Sequence, residues 1–264
     1  MAMPTYGVLL TVAYDGTAFS GWAAQGPSSP ERTVESTLEA AVKAIDPRSS
    51  KMRGTSRTDA GVHAETQMVA FDAMQEVDAR GWVLAVNANL PDDVAVRASR
   101  TVALGYNPRH ASLWKRYRYR LLLDSVRDPL ERTRSWRVGH PLNLDRIAAA
   151  CTLLEGTHDF GAFRTARDAR PTTVRTLPRV AVETLSDRVV SIAVTGDAFM
   201  HNMVRIIVGT LVDIGRGRFD EARIEQAFES QRRDDLGTTA PAHGLTLEHI
   251  ELALPEGAGE PWPR

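Results

Sequence analysis

One cysteine, Cys151, serves a chain of 264 residues, which excludes an internal disulfide and any cysteine-based zinc site. It falls on the apolar face of a predicted helix and reads as a small core residue. The seven histidines are scattered without metal-ligand spacing. His158 beside Asp159 and His201 beside Asn202 read as local hydrogen-bond partners rather than ligands. Gly-x-Gly-x-x-Gly, the phosphate loop, His-Glu-x-x-His and Gly-x-Ser-x-Gly are all missing, so no metal, nucleotide or other cofactor is implied. No apolar run approaches the length of a membrane span, and the N-terminus lacks a signal-peptide pattern. The expectation is a soluble cytoplasmic protein without a membrane partner.

An excess of one charge is missing too, with 32 basic against 33 acidic residues. The distribution is less even. Eleven basic residues lie between Arg97 and Arg137, opposed only by Asp124, Asp128 and Glu131, and Arg164, Arg167, Arg170, Arg175 and Arg179 follow against Asp168. Basic surface on a neutral protein suits a polyanion, since phosphate contacts supply most nucleic-acid affinity; a solvated arginine-rich surface gives the same pattern.

Hydrophobic content of 43% is ample for a core. Alternation predicts strands at Tyr6 to Tyr14, Thr66 to Phe71, Val94 to Val102, Arg116 to Leu123, Val174 to Leu185, Arg188 to Thr195 and Leu245 to Leu252. Helical spacing predicts Thr33 to Ile45, Asp78 to about Asn89, Asn143 to Leu154, Phe199 to Ile214 and Asp220 to Phe228. Ser28, Ser29 and Pro30 mark a loop, and the Pro/Gly-rich tail after Pro255 reads as frayed. The second half, from Tyr106, runs strand, helix, strand, strand, helix, strand. That is the split βαβ, ferredoxin-like order of an α+β protein, a mostly antiparallel sheet with helices on one face. The first half is compatible with a diverged copy. Two halves are expected, 1–105 and 106–264.

Chemistry concentrates in Arg57-Thr58-Asp59-Ala60-Gly61-Val62-His63. A carboxylate beside a fixed cation is favoured in its charged form, and an ionised aspartate can serve as nucleophile, base or anchor. Asp-Ala-Gly is also an ordinary turn signal. Lys115-Arg116-Tyr117-Arg118-Tyr119 puts two rings on one strand face and arginines on the other; rings are platforms for unstacked bases, although Tyr119 reads as core. Arg205 interrupts an otherwise apolar helix, where burial demands an anionic partner.

Taken together these segments resemble the tRNA pseudouridine synthase A (TruA) family. The matching residues are Tyr14-Asp15-Gly16-Thr17, Gly21-Trp22, Arg57 to His63, Asn87 to Pro91, Tyr117-Arg118-Tyr119, His158-Asp159-Phe160, Phe199, Met203-Val204-Arg205, Val208-Gly209 and Gly244-Leu245. The resemblance implies two ferredoxin-like halves forming one continuous sheet, with the active cleft between them. It implies isomerisation of uridine to pseudouridine at positions 38–40 of the tRNA anticodon arm, by a homodimer needing neither metal nor cofactor, with Asp59 as the catalytic aspartate. Tyr117 matches the tyrosine that stacks on the target base, Arg205 the basic residue paired with the carboxylate, and Arg57 the arginine that helps extrude the base. His63 closes the same motif and is taken as substrate-binding. Asp59 would attack C1′ or remove the 2′ proton; both routes need it ionised, which Arg205 would favour. Three places depart from the pattern: Ser56 stands where glycine is common, so its φ should be negative; Ala23 replaces a glutamine; and Tyr106-Asn107-Pro108-Arg109 only approximates Phe-His-Ala-Arg.

Two other readings compete. A non-catalytic RNA-binding module with an RRM-like sheet platform would bind without product. A glycoside hydrolase needs two flanking carboxylates, and no second one stands near Asp59.

Overall fold

The computed structural model describes residues 5–23, 31–165, 168 and 170–263; the Ser28-Ser29-Pro30 loop and Arg167 lie outside them. In chain order the elements are β1 (Tyr6–Tyr14), α1 (Val34–Ile45), β2 (Arg53–Gly54), β3 (His63–Ala73), α2 (Ala79–Asn87), β4 (Val94–Val102), β5 (Ser112–Leu122), β6 (Trp136–Arg137), α3 (Leu144–Leu154), β7 (Gly156–Asp159), β8 (Val174–Leu177), β9 (Arg179–Thr184), β10 (Val189–Gly196), α4 (Met203–Gly215), α5 (Ala222–Ser230) and β11 (Leu245–Leu252). The protein is α+β with mostly antiparallel strand pairing. Among the described residues no helix is long and apolar enough to cross a membrane.

Two compact units organise the chain: Met1–Leu113 with Leu247–Arg264, and Trp114–Thr246. These run differently from a division at 105/106, because the final strand lies beside β3. There the Thr66 hydroxyl donates to the Glu248 carbonyl at 2.9 Å.

In the first unit the order β4-β1-β3, with β2 also on β3, is antiparallel throughout. With α1 and α2 it completes a βαββαβ unit, more regular than its sequence suggests. Thr33 caps α1, its hydroxyl accepting the Ser36 N–H at 3.2 Å while Ser36 reciprocates on the Thr33 amide. Asp78 caps α2 through Gly81 at 2.6 Å. Both helices start where an apolar stripe begins, and Leu38, Val42, Trp82 and Val86 are buried from them. Trp82 meets Phe71 edge-on at 5.0 Å. On the opposite sheet face Leu9, Ala70 and Val102 form a small buried cluster against Tyr106 and Leu252. The tail beyond Pro255 is not frayed: Trp262 exchanges two backbone bonds with Ser99, at 3.0 and 2.9 Å, and so extends the edge of β4.

In the second unit β5-β10-β9 are antiparallel neighbours, and β6 runs parallel to β5. Cys151 is buried from α3 as expected. The single strand expected from Val174 to Leu185 is two. It breaks at Pro178, which has no N–H to give a ladder: β8 pairs with β7 in a separate ribbon, while β9 pairs with β10. The helix expected from Phe199 starts at Met203, because Asn202 is left-handed (φ 63) and interrupts it. α4 is buried nearly all round. Its backbone at Gly209 lies against the Thr238 carbonyl so closely that a Cβ would overlap it. Gly209→Ala should therefore cost about 3 kcal/mol, read by urea unfolding; a near-neutral effect would mean the 238–240 segment yields freely.

Candidate active site

Asp59 sits in the loop between β2 and β3, half-buried, and Arg57 is exposed. The loop is held by its backbone. Thr55 extends the ladder, its N–H and hydroxyl both donating to the Met68 carbonyl at 2.9 Å. Gln67, fully buried, then reads both backbone groups of Ser56: its amide donates to the Ser56 carbonyl at 2.6 Å and its oxygen accepts the Ser56 N–H at 3.3 Å. Ser56 has no positive φ, as the serine requires. Thr58 comes next, its hydroxyl 2.7 Å from the Tyr14 hydroxyl and its carbonyl accepting the Trp22 N–H at 3.0 Å. The Val62 N–H closes a turn on the Asp59 carbonyl at 3.1 Å, with Gly61 at φ 78.

Two further glycines admit this loop. Gly16 presses on the Val62 backbone, leaving no space for a Cβ. At Gly21 (φ 101) a Cβ would stand 2.7 Å from the Thr58 carbonyl oxygen. The Trp22 indole covers Gly54, where a Cβ would come within 2.8 Å of the ring. His63 is buried, and its Nδ1 accepts the Gly16 N–H at 3.1 Å. The same nitrogen is 3.2 Å from an Asp15 carboxylate oxygen. One nitrogen cannot accept the amide and donate to the carboxylate at once. The amide bond describes the ring with its proton on Nε2, and the carboxylate contact is a hydrogen bond only where Nδ1 carries the proton.

Upstream, Arg53 of β2 clasps Asp72 of β3 with two bonds, 2.7 and 3.0 Å, and reaches the Tyr106 carbonyl at 2.9 Å. Burial alone would push the Asp72 carboxyl up. The bonds from Arg53, the Gly105 N–H and Ser50, with the Arg53 charge, outweigh it and hold the carboxyl below its ordinary value.

In the second unit Tyr117 is 7% exposed, and Phe199 meets it edge-on at 5.1 Å. Tyr119 is core, as the sequence suggests: fully buried, its hydroxyl donating to the Pro241 carbonyl at 2.7 Å. Burial pushes its phenol well above the usual value against the opposing charge of Arg205. Arg205, half-buried in the first turn of α4, donates from Nε to the Ala240 carbonyl and from a terminal nitrogen to Asn202, each at 2.7 Å. The strand arginines are engaged within the unit. Arg116 and Arg118 share Glu183 at 3.1 and 2.7 Å, and Arg120 pairs with Glu131 at 2.7 Å. His158 bonds the Glu155 carbonyl and stacks on Phe228, a packed histidine as expected.

The five residues singled out in the sequence thus fall into two groups, Arg57, Asp59 and His63 in one unit, Tyr117 and Arg205 in the other. What sequence reading missed is the support: Gln67, the Tyr14–Thr58 pair and the roles of Gly16 and Gly21. The Tyr14 to Thr17 and Gly21-Trp22 motifs were its only visible signal.

A family model described as tRNA pseudouridine synthase matches residues 10–109 and 150–251. The tRNA pseudouridine synthase A of Acetivibrio thermocellus is 37% identical over 92% of this chain and 98% of its own. Those of Myxococcus xanthus and Geobacter sulfurreducens are 39% and 38% identical, covering 91% and 93% of this chain and 90% and 99% of theirs.

The Arg53–Asp72 clasp carries a sign for pH. A carboxyl lowered by folding contributes stability that is complete above its unfolded value and lost as pH falls through the folded one. In urea unfolding the gap between wild type and Asp72→Asn should close below about pH 4; a gap constant with pH would break the assignment.

Proposed function

The chain belongs to the tRNA pseudouridine synthase family and is an isomerase acting on tRNA uridine, and from that premise we propose that Asp59 is its catalytic aspartate, acting on uridines 38–40 of the anticodon arm. The observation that carries this is the loop itself. Gly16, Gly21, Gln67, Tyr14 and Trp22 all serve to immobilise one short segment whose acid is Asp59. Such fixing is what positioning a reacting group requires.

The reaction breaks the bond between N1 of uracil and C1′. The base turns, C5 bonds to C1′, and the C5 proton leaves while N1 gains one. A carboxylate suits either route, by attack at C1′ or by taking the 2′ proton. In this reading Arg205 is the basic residue that serves the carboxylate. Tyr117 stacks on the displaced base, and Phe199 fixes the ring from its edge. Leaving the helical stack costs a few kcal/mol, which stacking offsets together with a phosphate contact from Arg57, exposed beside Asp59. His63, buried, contributes by holding Gly16 under the loop. A homodimer working in the cytoplasm, without metal or cofactor, completes the reading.

Asp59→Asn keeps the shape and removes the charge. With an anticodon stem-loop RNA, pseudouridine detected by chemical labelling should fall on the order of 10⁴-fold or more, with RNA binding retained; conversion at the wild-type rate would remove Asp59 from the chemistry. Tyr117→Ala should lose the stacking contribution, about 5- to 100-fold, whereas Tyr117→Phe, which keeps the ring, should retain most activity. Equal losses in the two would argue against stacking.

A further inference from the structure

Residues 197–202, between β10 and α4, carry two side chains on which the proposed site depends. Phe199 packs edge-on against Tyr117, and Asn202 accepts from Arg205. This segment ends in a left-handed residue, and α4 has no side-chain cap from Asn202. Something else must hold it. Asp197 fixes its start, accepting the Ala198 N–H at 2.6 Å and the Thr176 N–H at 3.2 Å. The rest is held from a distant turn.

Asp168 is the centre of that turn, its side chain 3% exposed. One carboxylate oxygen accepts the His201 N–H at 2.7 Å. The other accepts the Arg170 N–H at 3.1 Å and lies 3.5 Å from the Arg170 guanidinium, which in turn donates to the Phe199 carbonyl. Arg164 braces the turn, donating to the carbonyls of Asp168 and Arg170 at 3.1 and 3.3 Å. Thr165 meets the His201 ring at 2.7 Å. A carboxylate this buried is costly without such partners, and every one of them belongs either to the 199–201 segment or to the turn that grips it. Burial would push the Asp168 carboxyl up, but the two N–H bonds and the charges of Arg170 and Arg164 keep it below the ordinary value.

We propose that Asp168 is a positioning residue for the isomerisation: with Arg170 it sets the 199–202 segment, and through Phe199 and Asn202 the Tyr117 ring and the Arg205 head. The proposal rests on the function assigned above for its catalytic consequence, but not for its structural one. It therefore needs two readouts.

Asp168→Ala and the milder Asp168→Asn are compared with Leu154→Ala, a variant in the α3 core, each assayed at a temperature where its own melting curve shows it folded. Tyrosine ring resonances, with Tyr117 assigned through Tyr117→Phe, report the Phe199 ring current. Steady-state kinetics on the stem-loop RNA separate kcat from KM. Both Asp168 variants should move the Tyr117 signals and lower kcat by about ten- to a hundredfold with KM changed by less than about threefold; Leu154→Ala should do neither. Unmoved Tyr117 signals in Asp168→Asn, or a kcat loss no larger than that of Leu154→Ala, overturns the proposal. Should the wild-type protein leave the RNA unconverted, the functional reading fails, and the Tyr117 signals alone decide whether the clamp exists.

Discussion

The backbone between Thr58 and Val62 lies against the backbone at Gly16 and Gly21, with no room for a Cβ at either glycine. Much of the first unit is arranged around that contact. The segment containing Gly21 also receives α1, whose first two N–H groups donate to the Gly21 and Trp22 carbonyls at 3.2 and 3.0 Å. These are orphan donors that a helix start must place somewhere. The Trp22 N–H then reaches the Thr58 carbonyl, so the helix end, the tryptophan and the Asp59 loop form one chain of hydrogen bonds. Shifting any member moves the next.

A similar economy governs the second unit. There the strap 238–240 lies on α4, meeting the helix backbone at Gly209 and Arg205 from both sides: the Ala240 N–H donates to the Arg205 carbonyl at 3.0 Å, and the Arg205 side chain donates back to the Ala240 carbonyl. An arginine in a helix this apolar would be expensive if its head were idle. Here part of that head serves as a backbone latch. Asn202, left-handed at the helix entrance, takes another nitrogen, so the guanidinium is held both by the 238–240 strap and by the residue that opens the helix.

Much of this fold is legible in the sequence because it is local. The Thr33, Asp78 and Asn143 caps, the β1, β4 and β11 alternations and the inward Cys151 follow from periods and side-chain chemistry that act within a turn or two of themselves. The candidate loop is legible as a motif. Errors fall where distant partners decide. Pro178 splits a plausible strand because its two sides pair with different neighbours. Asn202 delays α4 although the apolar pattern begins earlier. The tail beyond Pro255 has a disordered composition, yet Trp262 finds an open strand edge at Ser99. Asp168 shows in the sequence only as the acid opposing a basic run, and its main partner is the N–H of His201, more than thirty residues away.

The supports that escaped the sequence share a chemical reason. Gln67 grips Ser56 by its N–H and carbonyl, and Asp168 grips His201 by its N–H. A side chain that binds backbone recognises groups every non-proline residue carries, so the gripped position shows no preference that its own residue type could reveal. This explains how Ser56 can stand where glycine is common in the resembling family. With negative φ and both backbone groups taken by Gln67, nothing about the grip requires the missing side chain. Positions chosen by backbone-to-backbone proximity behave oppositely. Gly16, Gly21 and Gly209 tolerate no substitution without displacement, and they surface in the sequence as isolated glycines whose purpose only the neighbouring chain supplies. The Asp59 loop depends on both kinds of constraint, one silent in composition and one conspicuous, and the motif alone displays only the second.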